Sequence, residues 1–105
     1  MSVVWSKQAV YTWQQIAEYI LRQFGEKALL DFREETLYQE KLLLAMPHSG
    51  QIVATSHATI EFRYRLIHRL TKMIYHIAGE TIYIDTFWDT RMNPEAVIRY
   101  LEKID

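Results

Sequence analysis

The 105-residue sequence contains no cysteine, and it is poor in glycine and proline, with three and two residues respectively. The lack of cysteine excludes disulfide bonds and thiolate metal ligands. The sequence has neither an apolar run near the roughly 20 residues of a membrane-spanning helix nor a basic-then-apolar leader at its start. We therefore expect one cytoplasmic domain over residues 1–105, with a single core and no contact with a membrane.

The sequence also lacks an excess of charge of either sign, since it has 12 Lys and Arg residues and 13 Asp and Glu residues. Proteins that bind nucleic acids mainly through phosphate contacts usually carry clearly more basic than acidic residues. Broad, non-specific nucleic-acid binding is therefore disfavoured, although a small local cluster of basic residues stays compatible with the charge balance. His48, His57 and His68 lack metal-ligand spacing, and there is no glycine-rich phosphate loop, so we expect no metal and no cofactor.

The first half of the chain reads as a short strand followed by two helices. Residues 2–5 are β-prone, and Ser6 is placed to cap a helix that Gly25 ends. A second helix is predicted from about Glu26 to Ala45, and the single glycine between the helices makes them antiparallel. Apolar residues recur at helical spacing in the first helix and predict one stripe, made of Val10, Trp13, Ile16, Ala17, Ile20, Leu21 and Phe24.

The second half predicts three strands, over residues 62–67, 70–77 and 81–88, joined by tight turns that make neighbours antiparallel. Asn93 and Pro94 then start a short terminal helix. The fold class is α+β, a helical hairpin packed on a small antiparallel sheet in the order β-α-α-β-β-β. Because the hairpin covers one face of the sheet, the terminal helix, a partner or both must cover the other. Alternation on the third strand sets Ile82, Ile84, Thr86 and Trp88 against Thr81, Tyr83, Asp85 and Phe87.

Several segments together resemble the RelE/ParE toxin superfamily. They include the opening Val-Val-Trp-Ser-Lys-Gln-Ala, the Ile-Ala-Glu-Tyr-Ile segment with the Phe-Gly end of the first helix, and Pro-His-Ser-Gly after the second. The strand Tyr64-Arg65-Leu66, the strand centred on Tyr75, and the closing segment from Ile84 through Trp88-Asp89-Thr90-Arg91-Met92-Asn93-Pro94 complete the resemblance. It covers nearly the whole chain in order.

The resemblance implies the toxin of a type II toxin–antitoxin module, of the kind often described as plasmid-stabilisation proteins, with a cognate antitoxin as partner. RelE-like members cut messenger RNA on the ribosome, whereas ParE-like members poison DNA gyrase without chemistry of their own. Arg65 and Arg91 match family arginines and are the candidate catalytic residues of the RelE-like alternative.

The sequence departs from the family patterns at two places, and the second departure, together with the charge balance, favours the ParE-like branch. Trp88 stands where many ParE-like sequences have histidine, and residues 42–60 contain no lysine or arginine, so the basic patch of ribosome-dependent members is missing. A near-neutral protein would also dock poorly on the polyanionic ribosome. We therefore expect a non-catalytic growth inhibitor, with an endoribonuclease as the alternative and an inactive relative that only regulates its own operon as a third possibility.

The strands carry the remaining candidate residues. Cations could come from Arg63, Arg65, Lys72 and Arg91, and proton transfer from Tyr75, His76, Tyr83 and Asp85. The predicted target-binding residues are Arg63, Lys72, Tyr75, His76 and Tyr83. The predicted partner-binding residues, on the terminal helix, are Val97, Leu101 and Ile104. A structural role stays open for each of these groups. The strand arginines could be solvated or paired with Asp85, and Arg91 could be paired with Asp89. His76 could be a structural histidine, and the terminal helix could belong to the core.

Overall fold

A computed structural model describes residues 1–104. Its elements follow the chain as β1 (Ser2–Trp5), α1 (Lys7–Phe24), α2 (Glu26–Ala45), β2 (Gln51–Ile52), β3 (Arg63–Ile67), β4 (Thr71–Ala78), β5 (Thr81–Asp89) and α3 (Pro94–Glu102). The five strands form one sheet in the order β1-β5-β4-β3-β2. In this part of the chain, none of the helices combines the length and the apolar character needed to cross a bilayer.

The helical hairpin forms where capping residues predict it. The Ser6 hydroxyl accepts a hydrogen bond from the Ala9 amide at 3.0 Å, which satisfies one orphan donor at the start of α1. Gly25 adopts a φ of +91°, and its amide donates to the Leu21 carbonyl at 3.0 Å. Because glycine takes a positive φ at little cost, one residue suffices to end α1 and begin α2.

The sheet is mixed, because β1 pairs with β5 in parallel while the other neighbours pair antiparallel. The predicted hairpin-on-sheet class is confirmed, with β1 added at one edge and the two-residue β2 at the other. The parallel pairing follows from the path of the chain. The two helices carry the chain from β1 across one face of the sheet before it reaches β5 by way of β3 and β4.

The helical hairpin covers one face of the sheet, which we call the hairpin face. Ala9 and Ala17 are buried at this contact, since small side chains let α1 lie close to the strands. The stripe predicted on α1 is rotated: Val10, Leu21 and Phe24 stay exposed, Phe24 by 67%. The buried members of this core are Ala9, Ala17, Phe32, Leu43, Ile67, Met73, Tyr75, Ile82, Ile84 and Phe87.

A bulge in β5 changes which side chains face the hairpin. Ile74 pairs with Thr86 and Tyr75 pairs with Ile84, so Asp85 is the extra residue of the bulge. The simple alternation predicted for this strand is therefore wrong beyond Ile84. Phe87 joins the hairpin-face core, while Trp88 packs on the opposite face.

The opposite face of the sheet, which we call the α3 face, is covered from within the chain. Phe62 and Ile74 from the sheet side pack against Val97 and Leu101 of α3, and all four side chains are buried. The segment leading into β3 closes the edge of this second core through Val53 and Ile60. The sequence left the terminal helix, a partner or both as the cover of this face, and in the structure the terminal helix α3 covers it.

Candidate functional site

Arg65 extends from β3 at the edge of the hairpin face. Its Nε donates to the Gln39 side-chain oxygen at 2.6 Å, and its Nη1 donates to the Ser49 hydroxyl at 2.7 Å. Both partners are neutral, and within residues 1–104 no carboxylate comes within salt-bridge distance of Arg65. Arg65 also borders an open pocket of about 290 Å³. It is therefore positioned but not neutralised, and it keeps its charge available for an anion.

The guanidinium of Arg63 has three hydrogen-bond partners, compared with two for Arg65. Its Nη1 donates to the His48 and Gly50 carbonyls at 3.0 and 2.9 Å, and its Nη2 pairs with the Glu61 carboxylate at 2.9 Å. These bonds tie the loop after α2 to the start of β3. Arg63 thus fixes the loop, and the pairing expected as an alternative forms with Glu61 rather than with Asp85.

Arg91 lies at the other end of the sheet. Its Nε and Nη2 donate to the two carboxylate oxygens of Asp89 at 3.0 and 2.7 Å. The hydrogen bond from Arg91 holds the pKa of the Asp89 carboxyl below its usual range. The ion pair considered from the sequence is confirmed. Arg91 borders an apolar groove of about 440 Å³, whose exposed wall is formed by Tyr19, Phe24, Leu70 and Met92.

The structure does not bring Arg65 and Arg91 together. Arg65 is level with Met73 on β4, which is level with Phe87 on β5. Two strand spacings, about 10 Å, therefore separate Arg65 from Phe87, and Arg91 lies four residues beyond it. The two arginines border different pockets and share no hydrogen-bond partner within residues 1–104.

Tyr75 was predicted to bind a target, but its side chain is fully buried. Its hydroxyl donates to the Pro47 carbonyl at 2.8 Å and accepts from the Gly50 amide at 3.0 Å. Burial raises the pKa of this phenol, although the bond from Gly50 and the nearby Arg63 and Arg65 charges oppose the shift. In this structure Tyr75 anchors the loop after α2 from beneath.

His76 and Asp85 form a close pair on the α3 face. The His76 Nδ1 lies 2.7 Å from the Asp85 Oδ2, and the Asp85 residue is 4% exposed. Burial raises the pKa of the Asp85 carboxyl, and the hydrogen bond to His76 opposes that shift. Tyr83 stacks on the imidazole with ring centroids 5.3 Å apart and planes at 19°. The sequence marked all three residues as proton-transfer candidates, and the structure places their side chains together on the α3 face.

Lys72 also lies on the α3 face, with its Nζ 4.4 Å from the centre of the Tyr64 ring. Val97 and Leu101, two of the predicted partner-binding residues, are buried in the chain's own second core, and Ile104 packs against it. The side chains of Val97 and Leu101 are therefore already covered by residues of the same chain. A partner could reach Val97 or Leu101 only by displacing α3.

Sequence reasoning missed the residues that position the arginines. Gln39, Ser49 and Gly50 hold Arg65 and Arg63. Ser49 and Gly50 belong to the Pro-His-Ser-Gly segment, which was a family resemblance without an assigned role. One feature could have indicated Gln39: it is a polar residue on the buried side of α2, where it is only 8% exposed.

Comparison with known proteins finds a solved structure with a similar fold. No protein-family model and no curated protein matches the sequence. Among solved structures, a chain described as "Chromosomal ParDE TA system from P. aeruginosa" superimposes with a TM-score of 0.68 at 18% identity, over 85% of this chain and 95% of that chain. The two chains share one fold. The RelE/ParE-like fold predicted from the sequence is confirmed, and at this identity the match speaks to the fold alone.

Proposed function

We propose that this protein is the toxin of a type II toxin–antitoxin module and acts in the ParE-like manner, by binding a cellular target. The observation that carries the proposal is the fold shared with a chain of the ParDE system over nearly all of both chains. The order of the sequence motifs supports the same assignment independently of the superposition.

The arrangement of the arginines favours an inhibitor over an arginine-based endoribonuclease. Stabilising the charge that develops on a phosphoryl group requires cations that converge on one point. Arg65 and Arg91 border separate pockets, and Arg91 already binds both oxygens of the Asp89 carboxylate. DNA gyrase is the proposed target, and a ribosome-bound message is the target of the alternative.

An antitoxin is the proposed partner, and the apolar groove beside Arg91 is the surface we assign to it. Phe24, Leu70 and Met92 are exposed there by 67%, 47% and 54%, an unusual concentration of apolar side chains. An amphipathic antitoxin segment would bury this surface without disturbing either core. Contact with Val97 and Leu101 would be a later step, because it requires α3 to leave the sheet, whereas Ile104 follows α3 and is only partly buried.

The experiment is induction of the protein in a bacterial host, read out as DNA-damage response against arrest of translation, together with a supercoiling assay on purified gyrase. We expect growth arrest with a DNA-damage response, inhibition of supercoiling, and rescue by a co-expressed antitoxin. Immediate translation arrest without inhibition of gyrase would instead support the endoribonuclease, and no arrest by a folded protein would support an inactive relative.

A double variant sharpens the distinction. Arg65→Ala with Arg91→Ala removes both candidate catalytic arginines, and an inhibitor that does not use them should still arrest growth. Arg22→Ala with Arg33→Ala is the matched control, since both of these arginines lie on exposed helix surface. Loss of toxicity in the first pair alone, with unchanged thermal melting, would refute the ParE-like assignment.

A further inference from the structure

Three exposed leucines form a stripe along α2 that the proposed function does not use. Leu30, Leu37 and Leu44 recur every seven residues, and their exposed fractions are 54%, 50% and 45%. Seven residues are close to two helical turns, so the three side chains lie along one face of α2. Another face of the helix is buried in the hairpin-face core through Phe32 and Leu43. The helix α2 therefore has two apolar faces, and one of them is open to solvent.

Four charged residues flank the central leucine of this stripe. At 3.6 residues per turn, Arg33 and Glu40 lie on one side of it, and Glu34 and Lys41 lie on the other. Each side thus carries one charge of each sign. Within residues 1–104, none of the four belongs to a salt bridge, and only Glu40 has a side-chain hydrogen bond, which it accepts from an indole N–H at 2.5 Å. These charges can therefore pair with those of another molecule.

The stripe matches itself when a second copy of the chain is related to the first by a two-fold axis that passes beside Leu37. The two α2 helices then run antiparallel, and Leu37 faces Leu37 of the second copy. Leu30 faces Leu44 of the second copy at both ends, because each of them lies seven residues from Leu37. A contact of this kind uses the same surface on both copies, so the assembly closes at a dimer.

The flanking charges match in the same register. Such an axis places each side of α2 beside the same side of the second copy, with the helix direction reversed. Arg33 is therefore level with Glu40 of the second copy to within one residue, which is about 1.5 Å along the helix. On the other side, Glu34 is level with Lys41 of the second copy to the same precision. Opposite charges meet at four places, because the axis repeats both pairs.

Two more features support the antiparallel arrangement. Helices that run antiparallel place the positive end of each macrodipole beside the negative end of the other. A second copy also covers the shallow groove of about 210 Å³ beside Leu37, which Trp5 and Trp13 border. Within residues 1–104, the groove assigned to the antitoxin is bordered by residues outside α2. The two surfaces are therefore separate, and both can be occupied at once.

We propose that the leucine stripe of α2 is the interface of a homodimer in which the two α2 helices pack antiparallel about Leu37. The helix has 20 residues and is thus about 30 Å long. A strip of this length and about 10 Å wide buries less than the roughly 800 Å² per copy of a standard interface, so the dimer is a weak one. We expect its Kd to lie between about 1 and 100 µM.

The first test is sedimentation equilibrium of the 105-residue chain between about 1 and 300 µM. Wild type should pass from monomer to dimer over this range. Leu37→Glu places two carboxylates at the two-fold axis and should stay monomeric throughout. Ile52→Glu is the matched control, because it adds the same charge at an exposed residue of β2, and it should dimerise like wild type.

The second test uses the absence of cysteine to read the direction of the helices. Leu30→Cys chains mixed with Leu44→Cys chains should form a disulfide-linked heterodimer under mild oxidation, because facing residues come close enough to be bridged. Neither variant alone should cross-link beyond the level of Ile52→Cys. Parallel helices would give the reverse, with Leu30→Cys cross-linking to itself.

The third test exchanges charges on the side of α2 that carries Glu34 and Lys41. Lys41→Glu alone sets two carboxylates against each other twice, and should raise the Kd by about 3- to 30-fold. Glu34→Lys combined with Lys41→Glu restores opposite charges in the antiparallel register, and should return the Kd to within about threefold of wild type. In a parallel register the same double variant would meet like charges from Arg33 and Glu40 and would not recover.

Four results would overturn the proposal: a folded wild type that is monomeric at the highest concentration, a dimer that persists in Leu37→Glu, self-cross-linking of Leu30→Cys, or a charge exchange that does not restore the Kd. The first of these is read from wild type, so it does not depend on how any variant folds. The dimer and the toxin proposal are tested separately, because neither growth arrest nor inhibition of gyrase is read out here. A monomeric chain that still arrests growth would refute the dimer alone.

Discussion

The loop after α2 should be highly sensitive to one added methyl group at Gly50. A Cβ placed on Gly50 would lie 2.5 Å from the Tyr75 hydroxyl oxygen and 2.9 Å from the Tyr64 carbonyl oxygen. Gly50 is buried, its amide donates to the Tyr75 hydroxyl, and its carbonyl accepts from Arg63. Gly50→Ala must therefore push the loop away from β3 and β4, and the hydrogen bond between Gly50 and Tyr75 is lost with it.

Two costs set the magnitude. Forcing extra volume into a packed site costs about 1–3 kcal/mol, and leaving a buried donor without a partner costs about 1–3 kcal/mol. The two costs overlap because one displacement causes both, so we expect Gly50→Ala to lower the free energy of unfolding by about 2–4 kcal/mol. For a chain of this size, that corresponds to a fall in Tm of about 10–20 °C.

Urea unfolding of wild type, Gly50→Ala, Tyr75→Phe and the double variant measures the coupling as a cycle. Removing the Tyr75 hydroxyl also removes the closest clash, so the double variant should lose less stability than the sum of the single variants. Gly79→Ala is the control: its φ of +61° is unfavourable for alanine, but its Cβ would meet nothing within 4 Å. A loss below about 0.5 kcal/mol in Gly50→Ala, the usual range of surface changes, would refute the reasoning.

Two further predictions concern the indole groups of Trp13 and Trp88 and the carboxyl group of Asp89. Trp13 Nε1 donates to the Thr36 hydroxyl at 3.0 Å, whereas Trp88 Nε1 is buried without a partner in residues 1–104. Trp13→Phe should therefore lower the free energy of unfolding more than Trp88→Phe, by about 1 kcal/mol, and equal losses in urea unfolding would contradict this. Because Arg91 lowers the pKa of the Asp89 carboxyl, the pair stabilises the fold above the ordinary aspartate pKa, and this contribution is lost as pH falls through the lowered value. Acid titration of Tm should thus be shallower in Arg91→Gln than in wild type, and identical profiles would count against it.

The elements were predictable because their signals are local. Ser6, Gly25 and Pro94 act through their own backbone or the next turn, and the structure begins or ends a helix at each. When a bulge interrupts a strand, the local sequence no longer shows on which face of the sheet each side chain lies. Asp85 is neither a glycine nor beside one, so the sequence gives no sign that alternation breaks there. The swap of Phe87 and Trp88 could be found only from the pairing of β4 with β5.

The site was predictable to the extent that its partners are close in sequence. Arg91 and Asp89 are two residues apart, and their pairing was considered as an alternative and is observed. Arg65 is bound by Gln39, 26 residues away, and by Ser49, 16 residues away. Such contacts depend on how the hairpin lies on the sheet. The sequence could name Arg65 as a candidate, but it could not show that its partners are neutral.

The distribution of cations between the two faces of the sheet limits what chemistry the arginines can perform. Of the four candidate cations, Arg63 and Arg91 are paired with carboxylates, and Arg65 and Lys72 are not, within residues 1–104. Arg65 pairs across the sheet with Met73 of the hairpin-face core, whereas Lys72 pairs with Trp88 of the α3-face core. The two unpaired charges therefore lie on opposite faces of one sheet and cannot converge on one phosphoryl group. Ribonuclease chemistry that brings Arg65 and Lys72 to one phosphate would therefore require a rearranged fold.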